Sequence, residues 1–183
     1  MELFLSKIDS PLGEMLLVTD DQGAIHALDF ADHRQRLMRG LQARHGAATI
    51  VERDAPLAIA SAIGRYFSGE LEALDGLPVV LDGSALEKRV WAALREIPSG
   101  TTVSYGKLAK TLGFTDPRAA IDVGAANKVN PVAIIVPCHR VIASDGGLKG
   151  YAWGLHRKRW LLEHEKAIPQ ETPTPSTHDL PGL

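Results

Sequence analysis

The chain has 183 residues, enough for one compact domain or two small ones sharing an interface, and its 45% hydrophobic and 23% charged residues are an ordinary globular mix. Its single cysteine excludes an internal disulfide and any zinc site built on two or more cysteines, and no apolar run approaches the ~20 residues a membrane span needs. The net charge of −2 hides an asymmetry: residues 1–83 carry 7 Lys/Arg against 13 Asp/Glu, and residues 84–168 carry 13 against 7, which fits either a polyanion partner for the second half or an electrostatic match between two domains.

In chain order, Leu3 to Ile8, Met15 to Val18 and Ala24 to Phe30 predict an antiparallel meander, turned at Ser10-Pro11-Leu12-Gly13 and Asp20-Asp21-Gln22-Gly23. Residues 32–45 predict a polar helix stopped by Gly46. Residues 55–67 predict an apolar helix with Pro56 in its first turn and Leu57, Ile59, Ala60, Ile63 and Phe67 as the buried stripe. The Gly- and Pro-punctuated stretch from Asp75 to Gly83 marks a boundary between domains at 1–83 and 84–168. Ser84 and Glu87 have the spacing of a capping box for a helix through Ile97, with Leu86, Val90, Trp91 and Leu94 on one face.

Two short helices follow. Ser104 caps the first, which Gly113 ends; Asp116 caps the second, with Pro117 at its first position, and it runs to about Asn127. The pair reads as a helix-turn-helix, a pattern shared with helical hairpins that bind nothing. The second helix is rich in small residues (Ala119, Ala120, Gly124, Ala125, Ala126), which suits either close packing on another helix or close approach to a narrow groove. Residues 155–166 predict a last helix whose Arg157-Lys158-Arg159 run is either a solvated face or a phosphate contact, with Lys158 alternatively paired to a carboxylate. The tail 169–183, with Pro169, Pro173, Pro175 and Pro181, reads as disordered. The fold class is therefore α+β: an N-terminal antiparallel sheet with helices and a mainly helical C-terminal domain. The N-terminus lacks the basic start and apolar stretch of a secretory signal, which predicts a cytoplasmic protein. His26, His33, His45 and His164 show no ligand spacing, and no metal is expected.

The chemistry concentrates in Asn130-Pro131-Val132-Ala133-Ile134-Ile135-Val136-Pro137-Cys138-His139-Arg140-Val141. A strand-like apolar run delivers the only cysteine behind a proline. A lone cysteine is more often a small buried hydrophobe than a nucleophile, but the flanking His139 and Arg140 supply positive charge that favours the reactive thiolate. A histidine acting as base needs a third group to orient it, and spacing does not identify that group.

Val136-Pro137-Cys138-His139-Arg140-Val141 resembles the signature of the O6-alkylguanine-DNA alkyltransferases, or methylated-DNA–protein-cysteine methyltransferases. The likeness extends to Ile97-Pro98, Ser104 to Ala109, Val123 to Asn127, Asn130-Pro131, Gly150-Tyr151 and Lys158 to Glu165; it is strong over 84–166 and weak over 1–83, where a ribonuclease-H-like sheet layer is expected. The resemblance implies that Cys138 accepts the alkyl group, that His139 takes the thiol proton through a water, and that Glu165 holds the imidazole. It implies that Tyr105 donates to the guanine ring and that Asn130 braces the backbone leading to the cysteine. Tyr151 lines the base pocket, Ala152 offers its amide to O6, and the carbonyls of Cys138 and Val141 accept from the exocyclic amine. The reaction uses each protein once and needs no cofactor. The partner is double-stranded DNA, entered through the minor groove by the second helix, with Arg118, Ala119, Ile121, Gly124, Ala125 and Arg140 at the DNA, and the protein a monomer.

Two positions depart from the family pattern. The arginine that usually fills the gap left by a flipped base is replaced by Ile121, behind a loop two residues longer; either Arg118 or Ile121 as an apolar wedge takes over, and Asp122 is expected to turn toward the protein. Trp153 stands where many relatives have glycine, and either narrows the pocket against bulky alkyl groups or faces outward on the last helix. Competing classes are a non-catalytic lesion-binding protein of this fold, a helix-turn-helix regulator and a Cys–His hydrolase.

Overall fold

The structure, a computed structural model, describes residues 1–171, so the expected disordered tail lies outside the described residues from 172 onward. Strands β1 (Glu2–Ile8), β2 (Met15–Thr19) and β3 (Ile25–Phe30) form the expected antiparallel meander, with Leu5 opposite Val18 and Leu17 opposite Leu28. A 3₁₀ turn at Ala31–His33 leads into α1 (Arg34–His45). A fourth strand, β4 (Thr49–Glu52), then returns beside β1 in parallel, so the order β3-β2-β1-β4 makes the sheet mixed rather than purely antiparallel. Four residues with only Ile50 partly buried carry too short an alternation to be read as a strand.

The sheet is covered on both faces, which is why every residue of β2 and β3 is buried. Leu3, Leu5, Leu16 and Val18 pack against Leu37 and Leu41 of α1. Met15, Leu17, Ile25, Leu28 and Phe30 pack against α2 (Leu57–Phe67) and the C-terminal half. Pro56 stands at the N-cap of α2, and the buried residues are Ile59, Ala62, Ile63 and Tyr66; Leu57, expected in the stripe, is 84% exposed. Ile59 and Ile63 are buried as expected, while the buried face turns toward Ala62 and Tyr66 and leaves Ala60 and Phe67 only partly covered.

In the second half, α3 (Ala85–Arg95) starts at the expected capping box, with both Ser84 and Glu87 bonds made. Gly83 just before it passes so close to the Trp91 ring and the Glu87 carboxylate that a Cβ there would collide with both. Two-residue strands β5 (Val103–Ser104) and β6 (Val141–Ile142) pair in parallel. Ser104 caps α4 (Tyr105–Thr111), and α5 (Ala119–Lys128) completes the helix-turn-helix. Asp116 accepts from the Arg118 amide at 2.9 Å and so shapes the turn into α5 rather than capping the helix itself. The Trp91 indole donates to the Ala126 carbonyl at 2.9 Å and ties α3 to α5. The chain closes with α6 (Leu155–His164). Among the described residues, no helix is long and apolar enough to cross a membrane.

The outer edge of β3 is paired with chain from elsewhere. Ile25 pairs with Val79, while Leu28 donates to the Pro131 carbonyl at 3.0 Å and accepts from the Ala133 amide at 2.8 Å. A sheet edge that would otherwise expose open hydrogen-bonding groups is thereby closed by the segment that leads to the cysteine.

Candidate active site

Asn130, fully buried, accepts from the Val132 amide at 2.9 Å and donates to the Val136 carbonyl at 2.8 Å, bracing both ends of the run that precedes the cysteine. That run is not a strand: apart from its bridge to β3 it is a chain of tight turns, with Ile134 held at φ 67°. A β-branched residue in the left-handed region costs on the order of 1–3 kcal/mol and persists only where neighbours over-determine it. The Asn130 bonds and the β3 pairing are those neighbours. Cys138 follows in a single 3₁₀ turn, Cys138–Arg140, and is only 3% exposed.

His139 is completely buried. Its Nε2 lies 3.0 Å from Glu165 Oε2, at the C-cap of α6, while its Nδ1 has no hydrogen-bond partner among the described residues. With Glu165 ionised, Nε2 carries the proton and Nδ1 presents a lone pair, the tautomer a general base requires. Burial works against ionisation of Glu165, but His139 and Arg140 outweigh it and hold the carboxyl well below its usual range. For His139 burial wins over the attraction of Glu165, so the ring rests neutral.

The thiol behaves differently from the expectation. Burial pushes Cys138 up, and the opposing effects of Asn130, Lys158 and Arg36 do not overcome it. Flanking charge therefore does not outweigh burial, which favours the neutral thiol.

Arg140, expected at the DNA, is turned inward. Its Nε and Nη2 donate to the two oxygens of Glu165, both at 2.9 Å, and its Nη1 donates to the Ile97 carbonyl at 2.6 Å. The same cluster contains a residue that no sequence pattern singles out: Tyr66 of α2 donates its hydroxyl to Glu165 Oε2 at 2.7 Å. In sequence it is one more apolar position on an amphipathic helix.

Around the sulfur, Tyr105 at the start of α4 donates to the Lys149 carbonyl at 3.3 Å, with its ring facing Gly124. Asn127 donates to the Cys138 carbonyl at 3.4 Å, and the hydroxyl of Tyr151 is buried without a partner among the described residues. Lys158 is neither on a solvated face nor paired with a carboxylate. Its buried ammonium donates to the carbonyls of Val141 at 2.6 Å and Lys149 at 3.2 Å, and burial brings it down to about 8. Arg157 is likewise buried, bonded to Asp32, Leu12 and Trp153, so part of the charge asymmetry is matched across the seam between the halves. Trp153 does not face outward. Its indole is buried, donates to Asp29 of β3, packs edge-on to Tyr151, and lies under the Arg36 guanidinium. Ala152, next to it, is partly buried and packs against the core.

The small residues of α5 divide between two jobs. Ala119, Val123 and Ala126 lie in the core, which removes Ala119 from the outer face where it was expected. Ile121, Asp122 and Ala125 are exposed, so Asp122 does not turn toward the protein. Ile121 is 73% exposed; Arg118 is tied by its guanidinium to Asp116 at 3.1 Å.

Family models describe what these features resemble. One for the 6-O-methylguanine DNA methyltransferase DNA binding domain matches residues 85–167, and one for the ribonuclease-like domain of the same proteins matches residues 3–81. A methylated-DNA–protein-cysteine methyltransferase of Salmonella typhimurium is 41% identical over 167 residues, covering 90% of this chain and 96% of the relative. One from Methanosarcina barkeri is 42% identical over 164 residues, covering 90% and 98%. The crystal structure of Mycobacterium tuberculosis OGT in complex with DNA superposes with a TM-score of 0.73 at 37% identity, over 91% of this chain and 94% of that one.

Proposed function

This chain belongs to the 6-O-methylguanine DNA methyltransferase family, and from that premise we propose how its own residues carry out DNA repair by alkyl transfer to cysteine. Cys138 is the acceptor. The observation that carries the reading is the buried His139–Glu165 pair one residue from the only cysteine, with His139 Nδ1 left over as the base. His139 removes the thiol proton through a water, the sulfur attacks the alkyl carbon on O6, and the C–O bond breaks with its electron pair going to guanine. Glu165 stabilises the imidazolium that forms, and the departing guanine takes up a proton in place of the one the thiol lost. The product is a thioether, so each protein acts once.

A cysteine only 3% exposed cannot reach a base inside a duplex, so the nucleotide is turned out of the stack at a cost of a few kcal/mol. Tyr105 donates to the ring and stabilises its developing charge. Tyr151, Ala152, the Val141 carbonyl and Trp153 shape the pocket, and Trp153 braced beneath Tyr151 disfavours bulky alkyl groups. The exposed face of α5 enters a minor groove ~6 Å wide, with Gly124 and Ala125 allowing the approach. Ile121 is the wedge that fills the stack, because it presents a large apolar side chain, 73% exposed, on the outer face of α5. The protein acts as a monomer, with a scaffold domain at 1–83 and a catalytic domain at 84–168.

Incubation with an oligonucleotide containing O6-methylguanine tests the reading by intact mass. A gain of about 14 Da, confined to Cys138, is expected from covalent transfer. A Cys138→Ala protein that still removes the methyl group, or many turnovers per protein, overturns it.

A further inference from the structure

Glu165 Oε2 is crowded. It lies within hydrogen-bond distance of His139 Nε2 at 3.0 Å, Arg140 Nη2 at 2.9 Å and the Tyr66 hydroxyl at 2.7 Å, while Oε1 accepts Arg140 Nε at 2.9 Å. A carboxylate oxygen offers two lone-pair directions, so three donors on one oxygen compete for the same charge. Two of the three donors lie beside Cys138 in sequence. Tyr66 lies 99 residues from Glu165, on a helix of the first half of the chain.

We propose that Tyr66 is a positioning residue for alkyl transfer: by donating to the oxygen that His139 also uses, it fixes the rotation of Glu165 and sets how firmly that carboxylate holds the imidazole. The proposal rests on the reading of Cys138, His139 and Glu165 as the proton relay. It gives the first half of the chain a direct hold on the chemistry beyond scaffolding.

The seat of Tyr66 suits this role. Its backbone carbonyl lies 2.8 Å from His164 Nε2, and its ring meets His164 edge-on at 5.3 Å. The hydroxyl reaches Glu165, the very next residue of the chain. Two consecutive residues at the end of α6 thus grip both ends of Tyr66, and the phenol has no room to swing away. Burial and the adjacent Glu165 charge push its ionisation upward, so it stays a donor throughout the working pH range. A buried tyrosine hydroxyl needs some acceptor in any case. A purely structural bond, however, leaves the protonation of His139 unaffected by its removal.

The sign of the effect follows from charge. With the hydroxyl gone, Oε2 carries more negative charge toward His139, the imidazolium is held more strongly, and the base becomes available at higher pH. The other charged or titratable groups packed around the pair (Cys138, Arg140, Tyr151, Arg157, Lys158 and His164) remain as they are.

The test uses the full chain and a duplex containing O6-methylguanine, with the single-turnover rate followed across the pH range and melting temperature measured alongside. The wild-type rate should rise through one ionisation. In Tyr66→Phe that rise should move up by about half a pH unit, as the loss of one hydrogen bond to the ion pair implies, with a several-fold lower rate on the acid side. A profile that coincides with wild type, whatever happens to the melting temperature, overturns the proposal and leaves Tyr66 a packing residue. If the phenylalanine variant does not fold, 3-fluorotyrosine placed at position 66 keeps the shape and strengthens the donor. The rise should then move to lower pH, and an unmoved profile is again fatal. His139→Phe separates the two levels: transfer as fast as wild type in that variant removes the relay itself, and the Tyr66 proposal with it.

Discussion

The Glu165 cluster and the outer face of α5 are built on opposite principles. In the cluster every member is buried, and Glu165, at the end of α6, is bonded at both oxygens to groups drawn from α2 and the Cys138 turn. On α5 the exposed positions are Ile121, Asp122, Ala125 and Lys128, whose side chains make no hydrogen bond among the described residues. In the proposed mechanism the cluster carries proton chemistry, which depends on angles and charge, whereas the α5 face meets DNA of any sequence, which asks for few base-reading side chains. Substitutions should therefore be severe and affect both folding and rate in the first region, and be mild and specific to duplex substrate in the second.

The largest effect belongs to Glu165→Gln. It leaves Arg140 as a buried charge without its counter-ion, which costs about 3–5 kcal/mol in a urea melt. It also weakens the base, lowering the transfer rate about 100-fold or more. A variant that lost rate but no stability would break the claim that one carboxylate serves both purposes.

The same group fixes an acid limit. Its folded-state value lies well below the ordinary 4.5, so the unfolded chain binds the proton first as pH falls. The stability it lends is complete above that ordinary value and is lost as pH drops toward the folded one. Wild type should approach Glu165→Gln in melting temperature below about pH 4, and a gap that stayed constant to acid would contradict the linkage.

On α5, Ile121→Ala should slow repair of duplex DNA about tenfold and leave a single-stranded oligonucleotide almost unaffected, because only the duplex requires unstacking. Equal slowing of both substrates would move Ile121 out of the wedge role. Arg118→Ala should change the duplex rate less than about twofold if Ile121 alone fills the stack, and a loss as large as that of Ile121→Ala would move the wedge role to Arg118. The smallest contrast concerns the pocket: O6-benzylguanine should react more slowly than O6-methylguanine because Trp153 is packed beneath Tyr151, and equal rates would show that the indole does not restrict the entrance.

What could be read from sequence divides along the same line. Caps at Ser84 and Ser104 were legible because a cap is a contact over three residues. The cysteine and its histidine were legible as adjacent residues, and Glu165 only through resemblance, because nothing local ties it to His139. Arg140 and Lys158 were misread for one reason: a charged side chain in a basic stretch looks solvated until the carbonyls and carboxylate that bury it are known. Tyr66 left no trace, since a buried aromatic on an apolar stripe is what packing alone produces. The parallel strand β4 escaped because its partner, β1, lies far upstream of a four-residue run.

The closing of the β3 edge by residues 131–133 also has a consequence in time. Leu28 and Pro131 meet only after a loop of about a hundred residues has closed, and such distant pairings form late in folding. During synthesis the sheet emerges well before the segment that completes it, and Glu165 emerges after the cysteine. The His139–Glu165 pair beside the cysteine is therefore assembled only once the last helix has been made.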